Sequence, residues 1–172
     1  MDYKIIVLDL DGTLTNRDKI ITPRTRDALM EAQKAGNIVV LASGRPTPGV
    51  EPLARELEMD RFGSYILSYN GGMITNCKTG ETVFSSLLPL EANGKIIGLA
   101  KEHRVDILTY EGEEVITNNR ECPYAISESN INHLPLRQVD DMEAYVDFQV
   151  PKFIMLDDGD YLVTVEPKVK AA

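Results

Sequence analysis

Three short apolar runs, separated by two segments with helical periodicity, occupy the first 72 residues of the chain. The runs cover residues 4–8, 38–42 and 65–69, and continuous apolar runs of this length are typical of strands buried in a parallel sheet. Each intervening segment opens with Thr-Pro, a pair that suits the cap and first position of a helix. The alternation of strand and helix therefore predicts an α/β fold with a doubly wound parallel sheet.

Beyond residue 72 the pattern changes to hairpins and less regular helices. The sequence "MITNCKTGETVFSS" predicts a hairpin that turns at residues 78–80, and "VDILTYEGEEVIT" predicts another that turns near Glu111. A helix is expected in "LEANGKIIGLAKEHR" between them, and a strand in "KFIMLDD". Residues 118–150 are polar, and the pattern does not fix the position of the helix expected there. We predict two domains, a core over residues 1–81 and an α+β subdomain over residues 82–172.

Each of the three apolar runs leads directly into an uncommon short motif, and the motifs are "DLDGT", "SGRP" and "NGG". In open α/β sheets, ligands bind in the crevice beyond the carboxyl ends of the strands. All three motifs are therefore expected to face one site. Their convergence is stronger evidence than any one motif by itself.

The first motif places two carboxylates, Asp9 and Asp11, at the end of a strand. In extended backbone their side chains lie on the same face, where unpaired carboxylates would repel each other. Mg²⁺ resolves this repulsion, because it prefers hard oxygen ligands and accepts substrate phosphate in its remaining positions. One carboxylate can then attack phosphorus while the other acid protonates the leaving oxygen. Gly12 allows a tight turn whose N–H groups can cradle phosphate, although Asp-Gly is also a common turn pair.

The other two motifs offer further phosphate ligands. Ser43 supplies a hydroxyl at a strand end, and Gly44 lets backbone N–H groups approach a phosphoryl oxygen. Arg45 either binds the phosphate as well or pairs with a carboxylate at the surface. Asn70 and Gly71 either form a turn only or contribute to the substrate side of the site.

The net charge of −9, with basic residues scattered along the chain, argues against nucleic acid or an anionic membrane as a partner. No apolar run approaches the ~20 residues that span a bilayer. The segment "MDYKIIVL" lacks the pattern of a signal peptide. Cys77 and Cys122 are far apart in the sequence, which is typical of reduced thiols in a cytoplasmic protein. A small phosphorylated metabolite is compatible with all of these features.

With these motifs in place, the sequence resembles the haloacid dehalogenase (HAD) superfamily of phosphohydrolases. "LDLDGTL" is similar to the first motif of that family, and "VVLASGR" is similar to its second. "YNGG", followed by a hairpin and an α+β insert, is similar to the Cof-like branch, subclass IIB, which carries a large α/β cap. The resemblance covers essentially the whole chain and implies a HAD-like Rossmannoid core with an inserted cap.

The resemblance also implies a role for each motif residue. Asp9 would be the nucleophile that forms an aspartyl-phosphate and would ligate Mg²⁺. Asp11 would be the general acid and base and would give the metal its backbone carbonyl. Ser43 would bind the transferring phosphoryl group, supported by the backbone near Gly12 and Gly44. The substrates of this branch are small phosphate esters such as sugar phosphates.

Two further family motifs, a lysine and a later acidic group, have no clear counterpart in this sequence. The segment "FIMLDDGD" offers Asp157, Asp158 and Asp160, with Lys152 as the lysine. Lys152 precedes these acids on the same predicted strand, however, whereas the family places the lysine well upstream on another element. We therefore interpret this segment as a strand of the cap that ends in an Asp-Gly turn.

These departures predict that both the core and the cap are incomplete in this chain. An incomplete core would leave an open sheet edge, through which the chain would self-associate. The 172-residue chain is then expected to have little phosphatase activity of its own. Two other functions stay open, a phosphosugar mutase and a non-catalytic module that binds metal or phosphate.

Overall fold

The computed structural model describes residues 4–172, and the chain divides between Ser86 and Leu87 into two compact units. Residues 1–3, which begin the predicted core domain and the "MDYKIIVL" segment, lie outside the described range. Within the described range, no helix has both the length and the apolar character needed to cross a membrane. The division between the units follows the first hairpin, whereas the predicted boundary after residue 81 lies inside that hairpin.

The first unit is built on a five-stranded sheet. Its elements in chain order are β1 (Ile5–Asp9), α1 (Pro23–Lys34), β2 (Ile38–Ala42), α2 (Thr47–Glu56), α3 (Met59–Phe62), β3 (Tyr65–Ser68), β4 (Met73–Asn76) and β5 (Thr82–Ser85). The strand order is β1-β2-β3-β4-β5. The first three strands are parallel, and β4 and β5 continue the sheet as antiparallel strands. The predicted α/β alternation and the predicted hairpin are both confirmed.

Helix α1 begins where the Thr-Pro pair predicts. The Thr22 hydroxyl accepts a hydrogen bond from the N–H of Thr25 at 3.3 Å, and Pro23 lies in the first turn. Gly36 follows the helix with a φ of +89°, a left-handed conformation that glycine adopts without strain. These local signals fix how the chain leaves the helix and enters β2.

The hydrophobic core of the first unit lies on one face of its sheet. Its buried members include Leu29, Val39, Leu41, Val50, Leu57 and Ile66. Ile6 and Leu8 of β1 pack against this core, but Ile5 and Val7, which alternate with them, are 57% and 58% exposed. The sequence predicts a fully buried strand here. Among the described residues, however, β1 pairs only with β2, so it is an edge strand, and its face with Ile5 and Val7 also lies in solvent.

The second unit has α+β character, as predicted. Its elements are α4 (Leu90–Glu102), β6 (Asp106–Glu111), β7 (Glu114–Thr117), α5 (Pro123–Asn132), β8 (Leu136–Gln138), α6 (Met142–Tyr145), β9 (Ile154–Leu156) and α7 (Gly159–Ala171). The strand order is β8-β7-β6-β9, and β6 and β7 form the predicted hairpin with Gly112 at a φ of +56° in its turn. The polar segment 118–150 contains two helices, α5 and α6, rather than one.

Candidate active site

The parallel register of the first unit brings the three motifs to one edge of the sheet. Asp9 lies opposite Ala42 in the pairing of β1 with β2, and Ala42 lies opposite Leu67 in the pairing of β2 with β3. The carboxyl ends of the three strands are therefore level. The residues that follow each strand meet beyond this edge, where ligands bind in open α/β sheets.

The loop after β1 leaves both aspartates accessible. Leu10 between them is fully buried, and its carbonyl accepts hydrogen bonds from the N–H and the hydroxyl of Thr15, each at 2.9 Å. Gly12 has a φ of +82°, so the tight turn expected at this glycine is present. Asp9 is exposed, and within residues 4–172 its carboxylate has no hydrogen bond or ion pair.

Asp11, in contrast, is held by two cations. Nη2 of Arg45 lies 2.7 Å from Oδ1 of Asp11, and Nε of Arg45 lies 3.2 Å from Oδ2. Nζ of Lys19 also lies 2.7 Å from Oδ1. Hydrogen bonding from Arg45 holds the pKa of the Asp11 carboxyl below its ordinary value; partial burial opposes this effect, and Lys19 adds to it. Of the two roles considered for Arg45, the structure shows the pairing with a carboxylate.

The second and third motifs are joined through their backbones. The N–H of Asn70 donates to the carbonyl of Ser43 at 3.2 Å, and the N–H of Tyr69 donates to the carbonyl of Arg45 at 2.9 Å. The hydroxyl of Ser43 accepts a hydrogen bond from the N–H of Arg45 at 3.1 Å. Asn70 and Gly71 both have positive φ, of +59° and +87°, so these two residues do form a sharp turn.

Sequence reasoning did not identify Lys19, which reaches Asp11 because a short loop reverses the chain. Oδ1 of Asn16 accepts hydrogen bonds from the N–H groups of Asp18 and Ile20, at 2.9 and 3.1 Å. The N–H of Asn16 donates to the carbonyl of Ile20 at 3.0 Å. An asparagine that closes such a turn is the one local signal that could have indicated a return of the chain towards Asp11.

The oxygen donors at this edge of the sheet are compatible with Mg²⁺. Asp9 supplies an accessible carboxylate, whereas the backbone carbonyls of Asp9 and Leu10 accept hydrogen bonds from the N–H groups of Leu14 and Thr15. Within residues 4–172, no group of three or more acidic, histidine or cysteine side chains is placed to hold a metal ion. Mg²⁺ commonly binds through one or two carboxylates, together with water and substrate phosphate. The residues present therefore fit a site of that open kind.

The acidic segment near the C-terminal end has a structural role in the second unit. Oδ1 of Asp158 accepts a hydrogen bond from the N–H of Asp160 at 3.0 Å and caps α7. Oδ1 of Asp157 accepts from the N–H of Asp158 at 2.7 Å. The ammonium group of Lys152 lies 5.4 Å from the centre of the Tyr110 ring. The predicted strand is present as β9, but it leads into a capped helix rather than an isolated turn.

Comparisons with known proteins agree with this architecture. A family model described as "haloacid dehalogenase-like hydrolase" matches residues 6–172. A solved structure of a haloacid dehalogenase-like hydrolase from Bacteroides thetaiotaomicron is 42% identical, with a TM-score of 0.91 over 98% of this chain and 63% of that one. The structure of BT4131, a HAD subclass IIB sugar phosphatase, is 18% identical with a TM-score of 0.70, over 97% of this chain and 64% of that one. At that identity it shows a shared fold.

A curated relative also aligns with nearly the whole chain. The Bacillus subtilis (strain 168) protein named "Putative phosphatase YxeH" is 31% identical over 166 residues, which are 95% of this chain and 61% of the relative. The chain thus spans about three fifths of the length of this relative and of the 42%-identical solved protein.

Proposed function

Because the chain belongs to the haloacid dehalogenase-like hydrolase family, we propose that it acts in the Mg²⁺-dependent hydrolysis of small phosphate esters, such as sugar phosphates and related metabolites. One observation carries this proposal. Asp9 is exposed at the carboxyl end of β1, without a hydrogen bond or ion pair to its carboxylate in the described part of the chain, at the same sheet edge as Ser43 and Asn70. An accessible, unpaired carboxylate beside phosphate ligands is what nucleophilic attack on phosphorus requires.

In the proposed reaction, a carboxylate oxygen of Asp9 attacks phosphorus while the bond from phosphorus to the leaving oxygen breaks. Asp11, in its protonated form, donates a proton to that oxygen, so the product leaves as an alcohol. Asp11 then takes a proton from water, and the oxygen of this water attacks the aspartyl-phosphate. Inorganic phosphate leaves, and the Asp9 carboxylate is restored.

The remaining residues bind and orient the phosphate. The Ser43 hydroxyl and the backbone N–H groups near Gly12 and Gly44 are proposed to hold its oxygens. The Asp9 carboxylate and the Asp11 carbonyl would hold Mg²⁺, whose charge offsets that of the approaching phosphate. Asn70, joined to Ser43 through the backbone, would fix the position of this phosphate-binding turn.

We also propose that the 172-residue chain turns over substrate slowly by itself. Asp9 makes no ion pair within residues 4–172, in contrast to Asp11, and no third acidic group joins the two aspartates in that range. Binding of Mg²⁺ and phosphate without turnover is therefore a second candidate function. The two candidates differ in product formation, which can be measured directly.

The test is the release of inorganic phosphate from a panel of sugar phosphates, with and without Mg²⁺. We expect slow, Mg²⁺-dependent release that Asp9→Asn abolishes. Asp18→Asn is the matched control, because Asp18 is an exposed acid in the loop that follows the same motif. Equal release by the Asp9→Asn protein would overturn the hydrolase proposal. Binding of both ligands without any release would favour the second candidate.

A further inference from the structure

The Asp11 carboxylate is the most heavily engaged group of the candidate site. Its Oδ1 atom has both Arg45 and Lys19 within 2.7 Å, and its Oδ2 atom has Arg45 at 3.2 Å. Bidentate pairing of a guanidinium with a carboxylate is among the stronger charge-assisted contacts in proteins. Both oxygens of the proposed acid and base are therefore occupied in this arrangement.

The two cations are held differently. The side chain of Arg45 is only 11% exposed, and its backbone is fixed by the hydrogen bond from Tyr69. The side chain of Lys19 is 52% exposed, and its backbone has a φ of +62° in the loop closed by Asn16. A lysine ammonium is a compact charge on a flexible stem with three donors, so it can follow a carboxylate that moves.

A bound phosphate would compete with the Asp11 carboxylate for the guanidinium of Arg45. Arg45 follows Ser43 in the motif proposed to bind the phosphoryl group, and its guanidinium is suited to bidentate phosphate contacts. The two donors that it now gives to Asp11 cannot also hold a phosphate. A guanidinium has five N–H donors, and a phosphate that binds along the same Nε–Nη2 edge competes with Asp11 for the two donors there.

We propose that Lys19 is a positioning residue that keeps the Asp11 carboxylate paired when a substrate phosphate takes over Arg45. This inference rests on the proposed function. Lys19 contacts Asp11 rather than the reacting atoms, so it acts through Asp11. Without Lys19, the transfer of Arg45 would leave an unpaired carboxylate next to an anionic phosphate, and the two anions would compete for one guanidinium.

The test uses the whole chain with inorganic phosphate as the probe, in the presence and absence of Mg²⁺. NMR follows the Arg45 Nε–H group and the Asp11 carboxyl carbon, assigned with Arg45→Lys and Asp11→Asn. Lys19→Met removes the second cation, and Lys19→Arg restores a cation. Lys34→Met is the matched control, because Lys34 makes an exposed ion pair with Glu31 at 2.9 Å elsewhere in the first unit.

In the wild-type chain, phosphate should shift the Arg45 Nε–H signal strongly and the Asp11 carboxyl signal weakly. Lys19→Met should weaken phosphate binding by about two- to fivefold, as expected for the loss of one exposed ion pair, and should make the Asp11 signal shift strongly. Lys19→Arg should recover the wild-type response, and Lys34→Met should keep it. Unchanged far-UV circular dichroism of each variant shows that the fold is intact.

Other outcomes distinguish a failure of the inference about Lys19 from a failure of the proposed function. If phosphate binds and Lys19→Met responds like the wild type, or if the Arg45 signal does not move at saturation, the inference is overturned while phosphate binding stands. If phosphate moves no signal at Asp11, Ser43 or Arg45 of the wild-type chain, the proposed function fails, and the inference fails with it.

Discussion

A Cβ atom added to Gly44 would lie 2.6 Å from Oδ1 of Asn70, well inside van der Waals contact. The N–H of Asn70 also donates to the carbonyl of Ser43, the residue before this glycine. The second and third motifs are therefore packed against each other as well as hydrogen-bonded. The sequence suggested that Gly44 lets backbone approach a phosphate, and the structure shows that it also makes room for the Asn70 amide.

We expect Gly44→Ala to lower the free energy of unfolding by about 1 kcal/mol, because the Asn70 amide must rotate away from the added methyl group. The displaced atom ends a flexible side chain, so the backbone need not move. The loss should be much smaller in an Asn70→Ala background. Urea unfolding of the four proteins in this double-mutant cycle measures the coupling. Additive losses would contradict the close contact.

Local sequence signals predicted the parts of the fold that depend on neighbouring residues. Thr22 caps α1 and Pro23 lies in its first turn, as the Thr-Pro pattern predicts. The meeting of the three motifs also follows from local signals, since consecutive parallel strands place their carboxyl ends at one edge. The signals in residues 118–150 are weaker, and the sequence did not resolve α5 from α6.

The sequence did not predict contacts that form where the chain turns back on itself. It also did not predict which face of a strand is exposed. Lys19 reaches Asp11 only through the Asn16 turn, and Arg45 could equally have faced solvent or ligand. The exposure of Val7 depends on what packs against that face of β1, and the apolar pattern of β1 alone does not specify it. Asp158 illustrates the same ambiguity, because one acidic pattern suits a metal site and a helix cap.

Cys77 should react slowly with alkylating reagents. Burial, followed by the charges of Asp60 and Glu51, raises the pKa of its thiol to about 11. Since the thiolate is the nucleophile, alkylation by iodoacetamide at pH 8 should be on the order of a hundredfold slower than for a free cysteine, and the rate should rise as the pH approaches 11. Mass spectrometry of the modified peptide measures this rate.

In a Cys77→Ser variant only Cys122 can be alkylated, so the variant distinguishes the reactions of the two thiols. Burial also raises the pKa of the Cys122 thiol. In urea the Cys77 site should react at the rate of a free cysteine, because unfolding removes the burial. Rapid alkylation of Cys77 in the folded protein at pH 8 would show that the site opens readily.

The open edge of β1 should promote self-association, which we propose as a property of this chain. Ile5 and Val7 expose apolar surface on an edge strand that pairs only with β2 within residues 4–172. Sedimentation velocity should therefore show species larger than a monomer as the protein concentration rises. Val7→Lys should reduce this association, because a charged residue on an edge strand disfavours strand pairing.

Val163→Lys serves as the control for that experiment. Val163 is 69% exposed on α7, so the substitution adds the same charge at an exposed position of the second unit. Equal reduction by both variants would mean that net charge, rather than the edge of β1, controls association.

A buried polar pair should contribute strongly to the stability of the first unit. The hydroxyl of Ser64, which is fully buried, donates to Oε1 of Gln33 at 3.0 Å and accepts the N–H of Val39 at 3.4 Å. Nε2 of Gln33 donates to the carbonyl of Leu57 at 2.8 Å. Ser64 and Gln33 thus tie α1 to β2 and to the segment before α3.

Ser64→Ala should lower the free energy of unfolding by about 1–3 kcal/mol, because it leaves Oε1 of Gln33 buried without a donor. Ser85→Ala, at an exposed position of β5, should change it by less than about 0.5 kcal/mol. Adding Gln33→Met to Ser64→Ala should recover part of the loss, since the unsatisfied amide oxygen is then removed. Urea unfolding measures all three values, and a Ser64→Ala effect no larger than that of Ser85→Ala would show that the buried pair contributes little.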